Sequence, residues 1–397
     1  MYIKSRYLLF LIIISFITVS CTSGYKVISE TASLPKTQFT GTVLEKESSE
    51  PIADAKVWVE GTTIHTFTDK DGVFSLAVPR GYYEIHVKAA GFEGDQTRAA
   101  IENSDGRIHD FVLENQLSRG GYTDSNEVSS FPDEGQSEKS NRQKEIASKE
   151  QKINKFISYY INDNLDCELV NPQALTFTDY DEETLWVKGP IDLTVLNRDL
   201  GYKISITLNE YVSKEYSGII GLNIDADYFF EEMTPKNQEQ AETWEKNRLT
   251  YFNGSLRHFL IAMASDKSPL YFGYRLYSGQ FVNNTSAMAY SSSNVTDVEK
   301  QKYEVVFPNN LNGNNILKFE DEMRIEYVNK EVVDPNNIMG LDMYKHQTSW
   351  ITLNSENVEF SDTGFFESPR AVEIKGVWRY TPVCKMVPGD YLPEIEK

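Results

Sequence analysis

Residues 41–94, with the sequence GTVLEKESSEPIADAKVWVEGTTIHTFTDKDGVFSLAVPRGYYEIHVKAAGFEG, decide the fold of the front of this chain. Short runs in which apolar and polar residues alternate, such as 55–60 (AKVWVE) and 82–88 (YYEIHVK), are divided by turn-forming residues such as 69–72 (DKDG). Turns recur at intervals of roughly 8–12 residues, which is typical of all-β proteins. This part of the chain is therefore predicted to form a small β-sandwich.

The same stretch carries a resemblance to a known family. Its signatures are 41–43 (GTV), 51–55 (PIADA), 68–74 (TDKDGVF) and 91–92 (GF). Over residues 38–115 the chain resembles the carboxypeptidase-like regulatory domain, a transthyretin-like (prealbumin-like) sandwich. The resemblance implies a non-catalytic spacer or docking unit, of the kind that occurs on lipoproteins in Gram-negative envelopes.

The first 21 residues combine a charged start, Lys4 and Arg6, with an apolar run over 8–17 that is too short to span a bilayer. The run ends in Thr-Val-Ser-Cys at 18–21, which resembles a bacterial lipoprotein signal. The resemblance implies that Cys21 carries the lipid, and the polar composition of residues 22–37 predicts a tether. A plain signal peptide with a chance cysteine is the alternative. Thr22 is not the aspartate associated with inner-membrane retention, which favours the outer membrane and leaves its periplasmic or surface face open.

The charge of the chain limits the classes of partner. The formal net charge is −20, and removal of Lys4 and Arg6 with the signal takes it to −22. So acidic a chain repels phosphate backbones, so nucleic acid is not an expected partner. The mean hydropathy of −0.44 suits an exported body that reaches the membrane through its N-terminal lipid.

Besides Cys21, the sequence contains Cys167 and Cys384. In an oxidising compartment these two form a candidate disulfide that would tie the start of the second half to its end. Two separate buried thiols are an equal alternative.

The rest of the chain divides by composition. Residues 116–143 are rich in Ser, Gly, Asn and charge, which predicts an acidic, flexible linker. Residues 144–397 are predicted to form a larger β-rich domain with helices near 144–162 and 235–264, the second of them one long helix packed across strands. The whole chain is thus expected to be mainly β. Segments 167–175, 197–204, 244–260 and 376–393 are similar to envelope proteins that carry the same regulatory module and a second domain without an assigned function.

One face of the predicted long helix could bind a ligand. It carries Trp244, Asn247, Arg248, Tyr251 and His258, spaced by steps of three, four and seven. Such polar and aromatic side chains suit a sugar or a peptide. The alternative, which we favour, is that the aromatic residues are core and the polar ones tie neighbouring strands by hydrogen bonds.

The motifs of catalysis are missing from the sequence. It contains no H-E-x-x-H zinc motif, no G-x-S-x-G elbow and no phosphate-binding loop, so neither a metal nor a cofactor is expected. Ser255 and His258 lie one helical turn apart, but no acid at a suitable spacing would orient the histidine. The sequence favours a lipid-anchored, non-enzymatic adaptor or binding module for an envelope protein or a glycan. The alternative is a hydrolase on an unrecognised fold in the second domain.

Overall fold

The computed structural model describes residues 36–101, 107–116, 147–161, 166–179, 183–278, 303–306, 315–331, 341, 344–361, 363–366, 368 and 370–393. The predicted signal peptide with Cys21 lies outside the described residues, as do residues 22–35 of the tether and 117–143 of the linker. Within the described part the chain is mainly β, as predicted.

The front of the chain is a sandwich of two four-stranded sheets, one in the order β4-β1-β7 with β8 also paired to β1, the other β3-β2-β5-β6. Its inward-facing residues, among them Phe39, Phe74 and Phe111, form one core. The strands are β1 (Lys36–Glu45), β2 (Lys56–Val59), β3 (His65–Phe67), β4 (Val73–Pro79), β5 (Gly81–Lys88), β6 (Asp95–Ile101), β7 (Arg107–Ile108) and β8 (Phe111–Leu113).

The turn before β4 is held by its own side chain. A carboxylate oxygen of Asp69 accepts hydrogen bonds from the amides of Asp71 and Val73, both at 2.9 Å. Gly72 has φ of +70°, and a Cβ atom there would lie 2.8 Å from the carbonyl oxygen of Val43. The DKDG sequence therefore meets both local requirements of this hairpin.

The second half contains three further sheets. They have the orders β10-β11-β13-β12-β9 with β14 paired to β13, β15-β18-β19-β21, and β16-β17-β20. The strands are β9 (Cys167–Leu169), β10 (Thr176–Asp179), β11 (Thr184–Lys188), β12 (Leu193–Asn197), β13 (Tyr202–Tyr216), β14 (Ile219–Glu232), β15 (Tyr274–Ser278), β16 (Tyr303–Val306), β17 (Asn315–Phe319), β18 (Glu322–Glu331), β19 (His346–Leu353), β20 (Val358–Phe360) and β21 (Val372–Gly376).

Each large sheet has one face covered by a helix. Helix α1 (147–156) continues into a π-helical turn, Ile157–Ile161, and this segment packs Phe156 and Tyr160 onto the sheet that contains β13. Helix α3 (Leu256–Met263) packs onto the sheet that contains β18. None of the helices in the described part of the chain is long and apolar enough to cross a membrane.

The helical stretch predicted over 235–264 is present, but it is divided into α2 (Gln238–Phe252) and α3. The break lies at Gly254, which has φ of +83° and where a Cβ atom would lie 2.5 Å from the ring of Tyr327. Helix α2 begins after Asn237, whose side chain accepts a hydrogen bond from the amide of Gln240 at 2.9 Å. A close approach to a strand more than 70 residues away thus ends the helix.

In the structure Cys167 and Cys384 are joined in a disulfide. The bridge links β9 to a short 3₁₀ turn, Val383–Lys385. The side-chain amide of Asn197 donates a hydrogen bond to the carbonyl oxygen of Cys384 at 2.9 Å, so the C-terminal segment is fixed to this sheet twice.

Candidate functional site

The sandwich is docked on the second domain through main-chain hydrogen bonds. The amide of Gly61 donates to the carbonyl of Tyr228 at 2.8 Å, and the amide of Phe230 donates to the carbonyl of Thr62 at 3.0 Å. The loop after β2 thereby adds to the outer edge of β14 as a further strand would.

The C-terminal segment reinforces this contact. The amide of Gly389 donates to the carbonyl of Gly61 at 2.7 Å, and the carboxylate of Asp390 accepts from both the amide and the hydroxyl of Thr63. Arg257, on α3, donates to the carbonyl oxygens of Pro388 and Tyr391 at 3.3 and 2.9 Å. Burial lowers the pKa of Arg257 to about 10, which still leaves it charged at neutral pH. Helix α3 thus fixes the C-terminal segment, and this segment in turn is bonded to the sandwich.

A cleft of about 310 Å³ lies between the two domains. It is formed by the face of the sandwich that carries β2 and by the face of the β13–β14 sheet that turns away from α1. Its walls combine aromatic rings, hydroxyls, carboxylates and lysines. The lining residues are Asp54, Lys56, Trp58, Lys88, Ala89, Ala90, Asp192, Ser205, Thr207, Asp227, Tyr228 and Phe229.

The charged side chains of the cleft differ in how far they are paired. Lys88 contacts both carboxylate oxygens of Asp192, at 3.0 and 2.8 Å, and the hydroxyl of Thr207 donates to the same carboxylate at 2.9 Å. The ammonium of Lys56 lies 3.2 Å from the ring centre of Phe229. Among the described residues, Asp227 receives one long hydrogen bond, from Asn209 at 3.4 Å. The carboxylate of Asp192 is therefore engaged by Lys88 and Thr207, while that of Asp227 retains most of its capacity to accept hydrogen bonds.

Of the two lysines that line the cleft, Lys56 is the more buried. Burial lowers the pKa of Lys56 to about 8, although the nearby carboxylate of Glu231, 3.7 Å away, acts in the opposite direction. The desolvated ammonium is stabilised by the ring beneath it. Its environment favours a ligand that offers further hydrogen-bond acceptors.

Three of the residues predicted on one face of the long helix donate hydrogen bonds to the main chain of their own domain. Trp244, Asn247 and Arg248 donate from their side chains to three consecutive carbonyl oxygens, those of residues 198, 199 and 200, at 2.6, 2.9 and 2.8 Å. The guanidinium of Arg248 also lies 4.1 Å above the ring of Tyr202. Trp244 and Arg248 are buried, and together with Asn247 they fix the connection between β12 and β13. These contacts match the packing alternative.

The other two residues of that predicted face lie apart from these three. Tyr251 is half-buried, with the ammonium of Lys330 at 5.2 Å from its ring centre. His258 belongs to α3, and its Nδ1 accepts from the amide of Gly254 at 3.1 Å and lies 2.9 Å from the hydroxyl of Tyr274. Burial lowers the pKa of His258 to about 4, so the ring is neutral at pH 7.

Ser255 and His258 do not meet as a nucleophile and a base. The hydroxyl of Ser255 accepts a hydrogen bond from the main-chain amide of His258 at 3.1 Å, and Ser255 is the N-cap of α3. The hydroxyl thus satisfies one of the free amides at the start of the helix. In the described part of the chain, no three His, Cys, Asp or Glu side chains come together as a metal site.

The sequence reasoning missed the cleft. Lys56 and Trp58 alternate with core residues on β2, as do Asp227 and Phe229 on β14, so each pair points to the outer face of its sheet. Outer faces are ordinarily exposed to solvent, and the polar residues Lys56 and Asp227 fit an exposed face. A tryptophan and a phenylalanine on outer faces were the signal that those faces are covered.

Comparison with known proteins identifies the front module. Residues 39–122 match the sequence family described as CarboxypepD_reg-like domain, which confirms the resemblance of this part of the chain. No curated protein is similar enough to the chain to match it.

Solved structures show only remote likenesses. A DUF3823 family protein from Bacteroides ovatus is 11% identical, and the similarity covers 50% of this chain and 97% of that one with a TM-score of 0.17. For a type II cohesin–X–dockerin complex from Acetivibrio cellulolyticus the identity is 17%, the coverage 20% and 58%, and the TM-score 0.18. For 3-chlorocatechol 1,2-dioxygenase from Rhodococcus opacus the values are 15%, 21% and 61%, and 0.18. The chain spans about three fifths of the last two proteins, and TM-scores this low carry no argument about its function.

Proposed function

We propose that this chain is a non-catalytic binding module of the cell envelope, held to the membrane by a lipid on Cys21, and that it binds a glycan in the cleft between its two domains. The cleft carries the proposal, because it is the place where aromatic, hydroxyl and carboxylate groups of both domains converge. Ligand sites are often found between domains.

The chemistry of the walls favours a polyhydroxylated ligand. Sugar hydroxyls donate to carboxylates such as Asp227 and accept from ammonium groups such as Lys56, and the apolar face of a sugar ring packs against aromatic side chains. The hydroxyl of Ser205 can both donate and accept, and that of Thr207, which donates its proton to Asp192, can still accept. A strongly anionic ligand suits the site less, because the whole chain is acidic.

The anchor is supported by the N-terminal sequence. Strand β1 begins at Lys36, and the predicted tether ends at residue 37. An extended tether of this length reaches about 50 Å, so the docked pair of domains would stay close to the membrane surface. The charged start, the short apolar run and Cys21 support a lipid-anchored protein, with the outer membrane favoured.

The first test is binding of the full chain, purified in detergent, to a panel of immobilised oligosaccharides. We expect at least one oligosaccharide to bind, and Asp227→Asn to weaken that binding about tenfold, because a hydrogen bond to a charged acceptor becomes a neutral one. The matched control is Asp225→Asn, which makes the same change on β14 at an exposed position outside the cleft. Equal affinities for wild type and Asp227→Asn would place the site elsewhere, and no binding to any member would overturn the glycan proposal.

An envelope protein is the second candidate partner, on a different surface. The sheet β4-β1-β7 of the sandwich, with β8 paired to β1, does not contribute to the cleft and exposes Val73, Ile108 and Val112 by 44%, 76% and 49%. Exposed apolar side chains on one sheet face favour contact with another protein. Gentle solubilisation of the envelope and purification through a C-terminal tag tests this: a stoichiometric protein that is lost with Ile108→Ser supports the adaptor role, and recovery of the chain alone opposes it.

A further inference from the structure

A carboxylic acid lies at the edge where the sandwich meets β14. The carboxylate of Glu60 accepts a hydrogen bond from the amide of Tyr228 at 3.2 Å, directly beside the Gly61–Tyr228 main-chain bond. The amide of Glu60 donates to the carbonyl of Glu84 at 2.9 Å, so Glu60 also belongs to the sandwich sheet. Glu60 is therefore bonded to both sides of the docking contact, to the sandwich through its main-chain amide and to β14 through its carboxylate.

Two further carboxylates surround Glu60. Asp227, on β14, and Glu84, on β5, each repel a negative charge on it. Burial is the largest influence and raises the pKa of Glu60 to about 7, while the hydrogen bond from Tyr228 acts in the opposite direction. Near neutral pH this group is therefore divided between its acid and its anion.

The other charged groups at the contact come from every element that packs against it. Glu84 is paired with Arg98 on β6 at 2.9 Å, and His86 on β5 has its Nε2 3.8 Å from the carboxylate of Glu84. The hydroxyl of Tyr228 lies 2.6 Å from that of Tyr160 in the π-helical turn. Further ionisable groups of the contact are Lys56 on β2, Lys88 on β5, Asp192 before β12, Lys203 on β13, Glu231 on β14, Arg257 on α3 and Asp390 in the C-terminal segment.

We propose that docking of the sandwich on the second domain is coupled to protonation of Glu60, so that release of this proton loosens the contact and opens the cleft. The coupling controls the ligand site only if the proposed function holds, but the docking itself needs no ligand.

The direction of the effect follows from linkage. The pKa of Glu60 is raised in the docked state above its ordinary value of 4.5. Its contribution to docking is therefore complete below pH 4.5 and is lost as the pH rises through about 7. Within that window one proton is linked, so the docking equilibrium weakens by up to about tenfold per pH unit.

His86 opposes this dependence. Burial lowers its pKa, and its Nε2 has no hydrogen-bond partner among the described residues. A buried neutral histidine contributes to docking above its ordinary pKa, and this contribution is lost as the pH falls through the lowered value. Removal of the Glu60 titration should therefore leave a weak dependence of opposite sign.

The test is hydrogen exchange of the full chain without ligand, followed by mass spectrometry and expressed as protection factors relative to intrinsic rates. The reporters are peptides that contain the amides of Gly61 and Phe230, which are bonded across the contact. From pH 5.5 to 7.5 we expect their protection to fall while that of β18 and β19 stays constant. Glu60→Gln should abolish the fall, and the exposed Glu47→Gln should retain it.

Asp227→Asn provides an independent variant. It removes a negative charge that faces Glu60, so the fall in protection should shift to lower pH. A wild-type protection that is constant with pH, or a fall that persists unchanged in both Glu60→Gln and Asp227→Asn, would overturn the proposal. Because no oligosaccharide is present, these outcomes are independent of whether the cleft binds a glycan.

Discussion

Two polar-aromatic surfaces of this protein have similar composition but differ in how far their polar groups are paired. On α2, the side chains of Trp244, Asn247 and Arg248 donate hydrogen bonds to the carbonyls of residues 198–200 of their own domain. In the cleft, Asp227 keeps most of its acceptor capacity and the ammonium of Lys56 rests on a ring, 3.7 Å from the nearest Glu231 oxygen.

Residue type alone therefore does not distinguish a surface suited to a ligand from a structural one. What separates them is whether the polar groups are already satisfied by main-chain partners of fixed position, since a satisfied buried donor has nothing left for a ligand. On α2 that condition is met at positions i, i+3 and i+4, which face three successive peptide groups. The cleft lies between two domains, where such matching is incomplete.

The largest effect on stability is expected for Arg248→Ala. The change removes a hydrogen bond to the carbonyl of Leu200 and the cation above Tyr202, and leaves a buried acceptor without its donor. We expect the second domain to lose about 3–4 kcal/mol of unfolding free energy, read from the midpoint of urea unfolding by tryptophan fluorescence. Oligosaccharide affinity should be unchanged where the variant is folded.

Lys246→Ala is the matched control for Arg248→Ala. It removes a cation from α2 two residues earlier, at an exposed position. Its unfolding midpoint should be within experimental error of wild type. If Arg248→Ala were as stable as its control but lost oligosaccharide binding, the roles assigned to the two surfaces would be reversed.

The corresponding change in the cleft is Phe229→Ala. The ring centre of Phe229 lies 3.2 Å from the ammonium of Lys56, 5.1 Å from the ring centre of His65 and 6.3 Å from that of Trp58. These three partners all belong to the sandwich. We expect docking to weaken by about 3 kcal/mol, at the low end for a buried phenylalanine because the space left opens into the cleft. Exchange of the Gly61 amide should accelerate and oligosaccharide binding should be lost.

The contrast in Phe229→Ala is that the second domain keeps its own core. Phe229 lies outside the core formed by Phe156, Tyr160 and the inner face of the β13 sheet. Protection of β13 itself should therefore persist. Phe67→Ala, on the same sandwich face but 53% exposed, should leave docking in place. Loss of β13 protection in Phe229→Ala would show that the residue is core rather than contact.

Much of the fold could be predicted because its signals are local. The run 55–60 became β2 (Lys56–Val59) and the run 82–88 became β5 (Gly81–Lys88), since alternation in a strand depends on neighbouring residues only. The division of the predicted helix could not be predicted in this way, because Gly254 is required by the ring of Tyr327, which belongs to a distant strand.

The docked cleft could not be predicted for a similar reason. Gly61 bonds to Tyr228 and Gly389, partners that lie far away in the sequence and on different elements. Lys56 and Asp227 have the pattern of solvent-facing residues, which is also the pattern of a polar domain contact. Only the pairing of two outer faces in space distinguishes the two situations.

The smallest effect is expected for Ser255→Ala, and it tests the hydrolase alternative directly. The Ser255 hydroxyl caps α3 by accepting from the amide of His258, while the histidine ring is engaged with Gly254 and Tyr274. Loss of a cap should lower stability by about 1 kcal/mol, and Ser255→Thr should restore it because threonine caps almost as well. Oligosaccharide binding should be the same in all three proteins. If wild type instead cleaved a member of the panel, and Ser255→Ala stopped that cleavage at unchanged stability, the hydroxyl would be a nucleophile and α2 and α3 would border a second site.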